Sequence, residues 1–201
     1  MIPVSPKAAA PDFAQKVAGP GNAWLAKEGY DLAQPLPKGA KPPPLWRHCL
    51  PQLHACYDGV CAYLCVYIEL TAGGGSVDHF IAKSALAGGA YDWSNYRLAC
   101  SNMNARKGVF DDVLDPFTLP RDPEVFHLEL VSGRIYVNPS ITKALAASAE
   151  ATISRLDLDS GGCRSMRVRH FDMYASQGMT AALLQWYSPF VYGEADRQGL
   201  L

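Results

Sequence analysis

Charge is scarce in this chain. Of 201 residues, 18% are charged, and the formal net charge is -1. That balance excludes an overall basic coat of the kind that holds nucleic acid by charge alone, so any such binding has to rest on a local patch or on a partner. Long apolar runs are missing as well: none approaches the roughly 20 residues that a membrane-spanning helix needs. The opening MIPVSPKAAAPDF carries a lysine but no apolar core of a secretion signal. The cytoplasm is therefore the expected location, with no membrane partner. In that compartment the six cysteines, Cys49, Cys56, Cys61, Cys65, Cys100 and Cys163, are not expected to form a disulfide framework. There is no internal repeat.

What is present suffices for a core, since 49% of the residues are hydrophobic. Residues 1–45 are rich in Pro, Ala, Gly and Lys and read as an N-terminal Pro-rich arm with a short helix or two, pinned by Phe13, Val17, Trp24 and Leu25. WRHCLPQLHACY (46–57) has the spacing of a short helix. CAYLCVYIEL (61–70) is rich in β-branched and aromatic residues and is expected to be extended at least in part. VFHLELVSGRIYVNP is expected to form a β-hairpin turning near Ser132-Gly133. Residues 140–156 read as a helix with Ser140 as its N-cap, and the stretch from Cys163 to Phe190 as a last long helix kinked at Gly178. The expected division is an arm (1–45), a central core (46–117) and a C-terminal hairpin with helices (118–201).

Groups fit for chemistry concentrate between Ser76 and Gly108. Asp78-His79 closes a β-type run; sixteen residues beyond His79 comes Asn95, leading into a second strand, YRLAC. Ser101 can then cap a helix that carries Asn104, Arg106 and Lys107, and Gly108 can end it. A strand, loop, strand and helix of this size can gather a carboxylate, an imidazole and an amide around one point. That set suits metal-assisted phosphodiester hydrolysis. Asp78 and Asn104 supply the oxygen ligands that a divalent ion takes, and His79 is the general base for the attacking water. Adjacent strand residues point to opposite faces, so a bulge or the strand's end has to bring Asp78 and His79 together. Arg97, Arg106 and Lys107 are candidates for phosphate contacts, with ordinary surface charge as the competing reading. Arg164, Arg167, Arg169 and His170 form a basic stretch, read first as a solvated face. Tyr91 and Trp93 read as packing for the loop.

VDHFIAKS, WSN and LACSNMNARKG resemble the His-Asn-His (HNH) endonucleases, whose fold is the ββα-metal finger. The three signature positions are His79, Asn95 and Asn104. The wider run through residues 60–117 looks closer still to bacterial HNH proteins of anti-phage systems, such as the nuclease partners in Septu-type and related retron systems, which work beside an ATPase. The resemblance implies that His79 is the base, that Asp78 and Asn104 bind the metal, and that Asn95 orients the histidine loop. Many relatives add two Cys-x-x-Cys pairs that bind a structural zinc. Here Cys61-x3-Cys65 is followed by Cys100 and then by Met103 where the last thiol would stand, so no structural zinc is expected.

The expectation is thus an α+β protein with a ββα-metal core, acting as a Mg²⁺- or Mn²⁺-dependent endonuclease on DNA. An effector role in anti-phage defence, with an ATPase or another defence subunit as partner, is what the resemblance implies. The competing expectation is a non-catalytic HNH-like module that binds a partner or nucleic acid.

Overall fold

The computed structural model describes residues 1–201 as a mixture of helices and two small antiparallel sheets, an α+β architecture. No helix is long and apolar enough to cross a membrane. The chain forms two compact units: residues 6–59 with 69–111, and residues 1–5 with 60–68 and 112–201. The Pro-rich segment from residue 6 onward thus belongs to the same unit as the central segment.

In the first of these units a π-helical turn (Ala14–Ala18) runs into α1 (Gly19–Lys27). A 3₁₀ turn (Leu45–Cys49) leads into α2 (Leu50–Cys56). Strands β1 (Gly75–His79) and β2 (Tyr96–Cys100) pair antiparallel, with Asp78 opposite Arg97 and His79 opposite Tyr96, and α3 (Ser101–Lys107) follows directly. Phe13, Val17, Leu25, Leu53, Tyr91, Tyr96, Leu98 and Met103 are buried. The arm is tied down by polar contacts as well as apolar ones. The Trp93 indole donates to the Lys7 carbonyl at 2.9 Å, and the Tyr91 hydroxyl donates to the Pro43 carbonyl at 2.9 Å. Phe13 stands edge-on to Trp93 and Tyr96 at 5.2 and 5.8 Å. Helix α1 approaches so closely that a Cβ on Gly21 would lie 2.2 Å from the Tyr91 ring.

In the second unit, β3 (Phe126–Glu129) and β4 (Arg134–Val137) make the expected hairpin. Helices α4 (Lys143–Leu156), α5 (Gly161–Ala175), α6 (Ala181–Tyr187) and α7 (Pro189–Arg197) follow.

Several expectations need correcting. CAYLCVYIEL forms no strand and contributes only a single bridge between Val60 and Tyr67. Cys65 takes φ 56° and its N–H donates to the Cys61 carbonyl, so the run folds back within five residues. The α4 cap is Thr142, whose hydroxyl accepts from Leu145 N at 3.3 Å, rather than Ser140. The stretch expected as one kinked helix is three. Gln177 takes φ 61° after α5, Thr180 caps α6, and Pro189 opens α7. Ser101 is the first residue of α3, and its side chain bonds the Gly74 carbonyl instead of capping. Gly108 does end α3, at φ 54°.

Candidate functional site

The site residues owe their positions to the way β1 ends. Val77 is buried and Asp78 and His79 follow it, 1% and 6% exposed, as the strand gives way to the loop 80–95. Because His79 is the last paired residue, the chain no longer obliges it to face away from Asp78. Both line one cleft of about 530 Å³, together with Asn104 from α3, Trp46, Lys38 and Lys83. The strand end, and no bulge, unites the pair.

The imidazole is held on three sides. His79 Nε2 lies 2.9 Å from the Ala90 carbonyl, which also accepts from the Tyr96 hydroxyl at 2.8 Å. A carbonyl can only accept, so Nε2 carries the proton and Nδ1 keeps the lone pair. Trp46 and Tyr96 stand edge-on to the ring at 4.9 and 5.0 Å. Burial, and then the charge of Lys83, push the His79 pKa down from 6.5 to about 3; the Ala90 carbonyl opposes this, and Lys107 adds to it. The imidazole is neutral at neutral pH.

Asn95 fixes the loop that carries Ala90. Its Oδ1 accepts from Ile81 N at 2.7 Å, and its Nδ2 donates to the carbonyls of Ile81 and Gly89 at 2.9 and 2.8 Å. Phe80 N donates to its main-chain carbonyl at 2.9 Å. One buried side chain thus sews both ends of the loop to the start of β2. Asn95 does not line the cleft; it positions what does.

Asn104 reaches back from α3 to β1. Its Nδ2 donates to Ser76 Oγ at 3.2 Å and to the Val77 carbonyl at 3.3 Å. The Val77 carbonyl requires the nitrogen on that side, which turns Oδ1 the other way. Asp78 Oδ1 meets Lys107 Nζ at 3.3 Å, an ion pair with both side chains 1% exposed, and Lys107 also donates to the His79 carbonyl at 3.0 Å.

A carboxylate and an amide oxygen are the hard donors that Mg²⁺ or Mn²⁺ takes, with water and phosphate completing the shell. The residues fit such an ion. No three His, Cys, Asp or Glu side chains converge anywhere in the chain, so the ion's protein ligands would be few. No disulfide joins any of the six cysteines, and Cys49, Cys61, Cys65 and Cys163 are buried.

The candidate phosphate contacts are placed otherwise than expected. Lys107 is fully buried because it sits one helical turn after buried Met103, on the face of α3 that packs inward. Arg97 is 4% exposed; it donates to the carbonyls of Ser94 and Tyr96 and lies over the Phe80 ring. Neither presents its charge to solvent. Arg106 is half-buried and stands outside the cleft. Of the basic stretch on α5, Arg167 and His170 are buried and Arg164 pairs with Asp159, so only part of it is a solvated face.

The cleft's own cations, Lys38 and Lys83, and the indole of Trp46 were not singled out from the sequence. Lys83 Nζ lies 4.4 Å from the centre of the Trp46 ring. VDHFIAKS offered a signal in its lysine, but nothing in the spacing joins Trp46 to it. No protein-family model matches the chain, and no curated protein matches it.

Proposed function

We propose that the chain is a metal-dependent endonuclease of the HNH kind, with β1, β2 and α3 as its ββα-metal finger, hydrolysing DNA phosphodiester bonds. The observation that carries this reading is the convergence of Asp78, His79 and Asn104 on one cleft, with the imidazole oriented from behind. Nδ1 of His79 takes the proton of the attacking water; the bond from Nε2 to Ala90 keeps the ring in the one tautomer able to do so. Tyr96 and Asn95 hold the Ala90 carbonyl and its loop, so the ring's orientation is set before substrate arrives. Asp78 and Asn104 would hold a divalent ion, which would supply stabilisation of negative charge on the leaving oxygen. DNA as substrate, an effector role in anti-phage defence and an ATPase or other defence subunit as partner follow from the sequence resemblance.

Supercoiled plasmid incubated with Mg²⁺, Mn²⁺ or chelator tests this. Conversion to nicked or linear DNA with either ion, blocked by chelator, is expected; an unchanged plasmid with every ion contradicts it.

One observation favours a second reading, a non-catalytic module that binds a partner or nucleic acid. The Asp78 carboxylate is already neutralised by Lys107 without any metal. A Mn²⁺ titration separates the two. The enzyme loses ion binding in Asp78→Asn and Asn104→Ala, whereas the module binds no ion at all.

A further inference from the structure

We propose that Lys83 is the phosphate-binding residue of this cleft, meeting a backbone phosphate of the nucleic acid beside His79, with exposed Lys38 as an outer contact. Substrate chemistry here rests on the phosphodiester reading above; the anion site itself does not.

Asp78 is the single carboxylate on the cleft's lining, and its ion pair is with Lys107, behind the lining, at 3.3 Å. Lys83 and Lys38 are therefore surplus positive charge in that space. Arg97 and Lys107 turn their charges inward, so the cleft draws its attraction for an anion from these two lysines. The ammonium of Lys83 rests on a neutral ring, 4.4 Å from the Trp46 centre, in a half-buried setting. Burial weakens its hold on its proton while Asp78 strengthens it. An ammonium partly stripped of water and left on a ring gains a full charge partner when a phosphate oxygen arrives.

Its position is also built. Asn95 bonds both the N–H and the carbonyl of Ile81, two residues before it. The N–H groups of Ala85 and Leu86 close a turn onto the Ala82 carbonyl. The backbone on either side of Lys83 is thus fixed relative to His79, so a phosphate held there is held at a set place from Nδ1. That is the positioning which makes a cation useful in phosphoryl chemistry.

The test uses the full chain, chelator and a short fluorescent DNA duplex, with affinity measured by anisotropy across a salt series. Lys83→Met, which keeps the apolar stem, is expected to weaken binding about ten-fold at low salt. It should also reduce the slope of log affinity against log salt by about 0.9, the signature of one lost phosphate contact. Lys83→Arg restores the slope, and Lys38→Met produces a smaller loss. Should the methionine variant lose its fold by circular dichroism, the Trp46 indole resonance of the wild type supplies the readout, and it is expected to shift on adding duplex. A folded Lys83→Met with wild-type affinity and slope, an unmoved Trp46 resonance, or a wild type with no affinity for duplex overturns the proposal. A Lys83-dependent slope in a protein that cleaves with no ion keeps the anion site and removes the hydrolase reading. Plasmid cleavage undiminished in Lys83→Met does the reverse.

Discussion

Replacing Lys107 by methionine removes one charge from an ion pair enclosed on both sides and leaves the stem in place. Its ammonium sits 3.3 Å from Asp78 Oδ1 and 3.0 Å from the His79 carbonyl, and both side chains are 1% exposed. Breaking a buried pair from one side strands the other charge, at about 3–5 kcal/mol. The orphaned His79 carbonyl puts the loss toward the upper end of that range. Against a total stability of about 5–15 kcal/mol for a domain, the variant should be severely destabilised. The charge-free pair, Asp78→Asn with Lys107→Met, should recover most of this and stand within about 1–2 kcal/mol of wild type, because no unpaired charge remains. Urea unfolding followed by tryptophan fluorescence is well suited: Trp24, Trp46 and Trp93 all lie within residues 6–59 and 69–111. A Lys107→Met protein within about 0.5 kcal/mol of wild type would contradict this cost, as would a double variant no more stable than the single one.

Three further outcomes follow from the same geometry. Asn95→Ala deletes three hydrogen bonds, one of them fully buried, and should cost about 2–3 kcal/mol in the same urea assay while slowing cleavage through the displaced Ala90 carbonyl. Gly21→Ala places a Cβ 2.2 Å from the Tyr91 ring, and the forced repacking should cost about 1–3 kcal/mol by thermal melting. His79 titrates near 6.5 when unfolded and at about 3 when folded, so below pH 6.5 the unfolded chain binds a proton that the folded one refuses. Its contribution is therefore complete above pH 6.5 and declines by about 1.4 kcal/mol per pH unit as the pH falls toward 3; His79→Gln should flatten that slope in urea titrations. His170, whose pKa burial pushes down to about 4, acts in the same direction in the other unit.

The two strands and helix around the site were legible because their signals are local. Asp78-His79 closes a strand, YRLAC forms the next, and Gly108 supplies the positive φ that ends α3. Loop packing by Tyr91 and Trp93 was legible for the same reason, since bulky rings in a short loop need a place to go. Misreadings arose where a local pattern was overridden. Cys61–Leu70 has strand composition, but a single left-handed residue, Cys65, turns it back. Lys107 and Arg97 looked like surface charges because charged side chains are almost never fully buried unless paired, and their partners are main-chain carbonyls and Asp78. Trp46 and Lys83 stand in different elements, and only the tertiary fold lays one on the other.

The proposed hydrolysis depends above all on His79 as the base. Cleavage of supercoiled plasmid by wild type and by His79→Ala, at equal concentration in Mn²⁺ with matching circular dichroism, measures this directly. A metal-dependent wild-type rate and a loss of about 10²–10⁴-fold in the variant are expected. A His79→Ala protein that nicks plasmid at the wild-type rate would contradict that role.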